Sequence, residues 1–165
     1  MDMKRFLRHL FTTRAAVRRH FPPAALQTIE TAIAESERGH RGEIRFVIEP
    51  ALEPAQLIAG MAPRERALEV FSELRIWDTE ENSGVLIYVL HADHAIEIVA
   101  DRGIHAATGP QTWERIAADM ERTFAKGEYG AGALRGIAAV TAELRRHLPR
   151  KDGDTDELPN EVTLL

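Results

Sequence analysis

Residues Asp78–Asp101, DTEENSGVLIYVLHADHAIEIVAD, decide the reading of the chain. Gly84–Leu90 is an unbroken apolar run of strand length and β-branched character, and Ala95–Ala100 is a second strand with Glu97 at its centre. Between them His91-Ala92-Asp93-His94 is short and polar enough to be a hairpin turn. A turn centred on Ala92-Asp93 sets Leu90 opposite Ala95 and Gly84 opposite Asp101. That register brings Asp101 beside the loop Asp78–Ser83, so Asp78, Glu80, Glu81, Asn82 and Asp101 share one rim. Such a set, all oxygen donors, suits a hard cation, with Ca²⁺ the first choice and Mg²⁺ the second. The same residues also fit a plain solvated acidic loop.

Outward from the hairpin, Glu43–Glu49 alternates with Ile44, Phe46 and Ile48 inward, a half-buried strand. The helix opened by Pro63 is a crossover, so the strand at Gly84 should run parallel to that at Glu43. Gly84–Leu90, apolar throughout, should be the central strand. Helices are expected over Ala24–Arg38, from Gly109-Pro110 to Gly127, and from Gly130 to His147. Residues 50–62 and 102–108 read as irregular, and a fourth strand could be hidden in 50–62 or 104–108. The fold class is therefore α/β, a three-layer α/β/α sandwich on a small mixed sheet of three or four strands, with helices on both faces.

The organisation has three parts: a basic amphipathic helix over residues 1–20, a domain over 21–149, and an acidic tail over 150–165 read as disordered. In the first, Met3, Phe6, Leu7, Leu10 and Phe11 share one face, and Arg5, Arg8, His9 and Thr12 the other. Such a helix can lie on an anionic membrane, enter a partner's groove, pack on its own domain or join a homo-oligomer.

Net charge is −5 over 165 residues. It divides as +5 over residues 1–20, −3 over 150–165 and −7 between, and an acidic middle argues against nucleic acid as the main partner. The absence of cysteine excludes thiolate metal sites and a cysteine nucleophile. No apolar run reaches membrane-span length and no secretory pattern opens the chain, so a cytoplasmic protein, peripheral to a membrane at most, is expected. There is no P-loop and no G-x-S-x-G, and the glycines at 130, 132 and 136 lie between helices, so no nucleotide cofactor is expected. His91, Asp93 and His94 could hold zinc or nickel, although polar turns generally face water.

Several segments in order carry a resemblance: Asn82-Ser83-Gly84 followed by VLIYV, then IEIVADRGIH, TWERI and FAKGEYGAGALRGI. Together, over about residues 21–149, they resemble the TPM domain family, in a cytoplasmic bacterial branch without signal peptide or transmembrane anchor. The resemblance implies an α/β/α sandwich, Ca²⁺ binding in some members and acid phosphatase activity in at least one. The function it suggests is a non-enzymatic binding module, with a divalent cation, assisting a membrane-associated protein or assembly. The second reading is a metal-dependent phosphatase on the Asp101 rim. Arg102 is the only cation close to that rim in sequence, which favours binding over hydrolysis.

Overall fold

The computed structural model describes residues 2–165. In chain order they form α1 (Met3–Phe11), α2 (Arg14–His20), α3 (Pro23–Glu37), β1 (Glu43–Glu49), α4 (Pro54–Ile58), α5 (Pro63–Glu73), β2 (Gly84–Leu90), β3 (Ala95–Ala100), α6 (Arg102–Thr108), α7 (Pro110–Ala125), α8 (Tyr129–His147) and β4 (Thr163–Leu164). The sheet order is β3-β2-β1-β4. β1 and β2 are parallel, with Glu43 opposite Gly84. β2 and β3 are antiparallel, with Leu90 opposite Ala95 and Val85 opposite Ala100, the register expected from the turn.

The pleat of β2 sorts its side chains between two cores. Val85, Ile87 and Val89 join Ile44, Phe46 and Ile48 of β1 under α3, α7 and α8. Leu86, Tyr88 and Leu90 turn to the other face, with Leu57 of α4 and Ala67, Val70 and Phe71 of α5. β2 is thus buried on both faces, as an all-apolar strand should be. β1 is buried at every position too, rather than half-buried. Its polar residues are covered because they have partners. Glu49 accepts from Tyr88 Oη at 2.5 Å and from Arg66 Nε at 3.0 Å, and Arg45 is claimed by the tail.

That tail is ordered, against the expectation of disorder, and it supplies the fourth strand. The guanidinium of Arg45 donates to the Pro159 carbonyl and to Thr163 Oγ1, both at 2.7 Å. Val162 N–H donates to Glu30 at 2.9 Å. β4 then pairs with Val47 and Ile48 of β1. The segments first considered for that strand are helical instead: residues 50–62 contain α4, and 102–108 form α6, capped by Asp101, whose Oδ1 accepts from Arg102 N–H at 2.8 Å.

The N-terminal stretch is two helices, not one. The chain leaves the helix at Thr12, and Thr13 caps α2 by accepting from Ala16 N–H. Val17 of α2 and Phe21 after it are 1% and 0% exposed in the main core. α2 therefore belongs to the domain, and α1 docks on it, with Phe6 against the second core and His9 buried.

Candidate functional site

Both ends of the sheet carry polar clusters. At the end where β1 and β2 begin lies the Asp101 rim. The Asp101 backbone N–H donates to the Gly84 carbonyl at 2.9 Å, and Gly103 N–H to the Asn82 carbonyl at 3.1 Å, so loop and hairpin end are tied as the register predicts. Gly103 is required there: a Cβ would sit 2.5 Å from the Glu81 carbonyl oxygen. The side chains do not converge equally. Glu81 pairs with Arg41, Arg102 reaches Asn82 Oδ1 at 3.5 Å, Asp78 and Glu80 are exposed, and Asp101 Oδ2 is buried without a partner. Among the described residues, no three of the rim acids bring ligand atoms within 4.8 Å of one another.

The acids that do converge are Glu37, Glu43 and Asp156, on the β1 side of the same end, each offering an oxygen within 4.8 Å of the other two. Glu37 closes α3, Glu43 opens β1 and Asp156 comes from the tail. Burial, with the neighbouring acids, pushes the Glu37 carboxyl up to about 8 and that of Glu43 to about 7. Sequence reasoning missed this group because the tail had been set aside. The signal was there: Leu158, Val162, Leu164 and Leu165 are apolar residues in a stretch otherwise charged.

At the other end, the His91–His94 turn does not gather a metal site from its own residues. Asp93 turns to α1, accepting from Arg5 Nη2 at 2.7 Å, Arg8 Nη2 at 2.7 Å and His9 Nε2 at 2.9 Å. The other nitrogen of His9 accepts the Leu52 N–H at 2.9 Å. Burial works against the Asp93 charge, but the hydrogen bonds from Arg5, His9 and Arg8 outweigh it and hold the carboxyl well below the usual carboxylate range. His91 turns the opposite way, its Nε2 3.0 Å from Nδ1 of His20, which stacks on Tyr129 at 4.0 Å. These rings line a cavity of about 710 Å³ with Val89, Phe124 and Arg122, at the carboxyl ends of the parallel strands. Burial, with the charges of His20 and His94, pulls His91 down to about 4, so its ring is neutral at physiological pH.

The architecture is a three-layer α/β/α domain with a β1-crossover-β2 unit, an antiparallel hairpin and an Asn-Ser-Gly entry to the middle strand. The TPM domain matches residues 19–143, and the chain belongs to that family. The solution structure of BA42 from the psychrophilic bacterium Bizionia argentinensis is similar at 30% identity, with 86% of this chain and 93% of that one covered and a TM-score of 0.76. The N-terminal domain of a protein from P. gingivalis shares the fold at 17% identity, covering 76% of this chain and 77% of that one with a TM-score of 0.62. No curated protein matches the sequence.

Proposed function

We propose that this TPM domain is a non-enzymatic binding module that assists a membrane-associated assembly, and that α1 seats it on an anionic bilayer. The observation that carries this reading is the orientation of α1. Arg5, Arg8 and His9 are turned onto Asp93, Phe6 packs against the core beside Leu57, and the rest of the apolar face is turned outward: Met3, Leu7, Leu10 and Phe11 are 56%, 44%, 56% and 75% exposed. Ile58 of α4, the helix that α1 touches, is 67% exposed as well. Contiguous apolar exposure of this kind on a folded domain marks an interaction surface.

The charge around the patch selects the partner. Lys4 of the same helix and Arg14, Arg18 and Arg19 of the next are exposed, on a protein of net charge −5. A basic rim around large apolar side chains matches an anionic interface, where each Lys or Arg near the surface adds about 1 kcal/mol and each buried large apolar side chain about 1.5–3 kcal/mol when fully withdrawn from water. Among the described residues no helix is long and apolar enough to cross a membrane. One cation near the rim is already committed, which supports binding over hydrolysis: Arg41 is paired with Glu81.

Sedimentation with vesicles tests it. The chain should bind phosphatidylglycerol-containing vesicles, bind pure phosphatidylcholine weakly, and lose binding in Leu10→Asp/Phe11→Asp. Equal binding by that variant, or self-association through α1 in place of vesicle binding, would refute the membrane reading. Turnover of p-nitrophenyl phosphate lost in Asp101→Asn would move the reading to a hydrolase.

A further inference from the structure

We propose that the cavity between α2, the hairpin turn and the start of α8 binds a small, flat, uncharged aromatic compound that carries a hydroxyl group. Elements far apart in sequence build it. His20 ends α2, Val89 lies near the end of β2, His91 opens the turn, and Phe124 and Tyr129 flank the link from α7 to α8. Its volume of about 710 Å³ is that of a small-molecule site, for which roughly 300–1,000 Å³ is usual. It lies at the opposite end of the sheet from the Asp101 rim, and it does not rest on the membrane reading of α1.

The walls select a flat apolar body. Val89, Phe124 and Tyr129 supply aliphatic and aromatic surface. Tyr129 is held in a cluster of rings: His20 stacks on it at 4.0 Å with 9° between the planes, Phe124 tilts against it at 5.0 Å, and Phe21 meets it edge-on at 5.5 Å. Aromatic pairs favour offset-stacked or edge-to-face contacts with centroids about 4.5–7 Å apart, so a ring entering the cavity extends a cluster already in place. Charge selects against an ion. Glu121 Oε1 accepts the Ile96 N–H at 2.9 Å, and the exposed Arg122 is turned to Asp119 at 3.2 Å. An anion would face Glu121, and a cation would face Arg122.

The histidine pair selects the hydroxyl. His91 is 6% exposed, and its Nε2 stands 3.0 Å from Nδ1 of His20. Burial, with the charges of His94 and Arg19, lowers His20 as it lowers His91, so both rings are neutral at physiological pH. Two neutral imidazoles carry two N–H groups between them, and their contact uses one. The second sits on an outer nitrogen, either Nδ1 of His91 or Nε2 of His20, and the other outer nitrogen is a bare acceptor. Among the described residues neither outer nitrogen has a hydrogen bond, and neither is among the fully enclosed polar atoms. The pair therefore offers a donor at one end and an acceptor at the other, and exchanging tautomers reverses them. A hydroxyl both donates and accepts, so it satisfies either tautomer, where a carbonyl would satisfy only one.

The test uses the full chain without lipid, titrated with 2-naphthol and followed by amide chemical shifts, with naphthalene and 2-naphthoate in parallel series. 2-Naphthol should bind once per chain, with shifts centred on Val89, Gly127 and Tyr129. Naphthalene should bind roughly threefold to tenfold more weakly, the size of one neutral hydrogen bond, and 2-naphthoate more weakly than 2-naphthol. Ala125→Trp, at an exposed lining position that leaves the core intact, fills the cavity and should abolish the shifts. His20→Phe, also at an exposed position, keeps a ring stacked on Tyr129 and should erase the advantage of 2-naphthol over naphthalene. Leu10→Asp/Phe11→Asp, which disables the face of α1, should bind 2-naphthol as the wild type does. The proposal is overturned by no binding to the wild type, by binding that survives Ala125→Trp, or by an advantage unchanged in His20→Phe. Tighter binding of 2-naphthoate, or loss of binding in Leu10→Asp/Phe11→Asp, overturns it as well.

Discussion

Replacing Asp93 with alanine removes the carboxylate that Arg5, Arg8 and His9 of α1 share, and leaves α1 only the Met61 carbonyl, which accepts from Arg5 Nη2 at 2.8 Å, and the Leu52 N–H on His9. Asp93 is 7% exposed on its side chain, against 21% for Arg5, 45% for Arg8 and 0% for His9. The half-exposed Arg8 pair contributes at most ~1 kcal/mol. The two-pronged Arg5 contact, with Nε and Nη2 both on the carboxylate, contributes about 1.5–3 kcal/mol. A buried His9 left without its acceptor costs about 1–3 kcal/mol. The full sum is not lost, because α1 can swing into water and rehydrate Arg5 and His9. The global loss is then capped at the docking free energy, about 1–3 kcal/mol, or roughly 2–10 °C in melting temperature. The sharper readout is local. The Leu52 N–H, which donates to His9 Nδ1, should lose hydrogen-exchange protection by roughly five- to hundredfold while the amides of β2 lose much less. Because the Asp93 carboxyl is held below its ordinary value, its contribution is present above the unfolded value near ~4 and lost as pH falls through the folded one. α1 should therefore stay docked at pH 5 and detach only in strong acid. Unchanged protection at Leu52 in Asp93→Ala would refute the clamp.

Three further outcomes are expected. Leu86→Ala, at a fully buried position of the middle strand, should cost about 2–5 kcal/mol in urea denaturation. Gly103→Ala should cost about 1–3 kcal/mol, because its methyl group would press on the Glu81 and Asn82 carbonyls, and the displaced rim should be visible as amide shifts at residues 80–84. The depressed value of His91 means that the folded state binds fewer protons than the unfolded one, so stability is complete above pH ~6.5 and falls toward pH 4 by up to about 3 kcal/mol; His91→Gln should flatten that slope in denaturation curves at pH 7 and 4.5.

What the sequence disclosed depended on the range of the interactions. The β2–β3 register was legible because a four-residue polar break between two apolar strands fixes pairing locally. The parallel pairing of β1 with β2 followed from a helix-length crossover. The inside-out docking of α1 was not legible, since its amphipathic pattern says that one face needs cover and not which. The choice rests on Asp93, 88 positions from Arg5, and hydrophobic periodicity carries no trace of it. The tail was hidden for a related reason. Its attachment uses backbone donors, Arg45 and Thr163, none of which imposes a repeat on residues 150–165.

The two misread ends have a common logic. Each places a charged side chain inside the domain that only a terminal segment can satisfy: Asp93 needs the cations of α1, and Glu43 and Arg45 need the tail. Buried charges are destabilising without partners, so each terminus is held less by its own apolar content than by what the core lacks without it. The consequence differs at the two ends. At α1 the demand is met within the chain, by cations that neutralise Asp93, and the apolar face is left free to bind elsewhere. At the tail it is met only in part, because the tail arrives with further carboxylates, and Glu37 Oε2 still has no donor. The domain therefore holds one terminus by complementary charge and the other by backbone donors on Glu43 and by the Arg45 guanidinium.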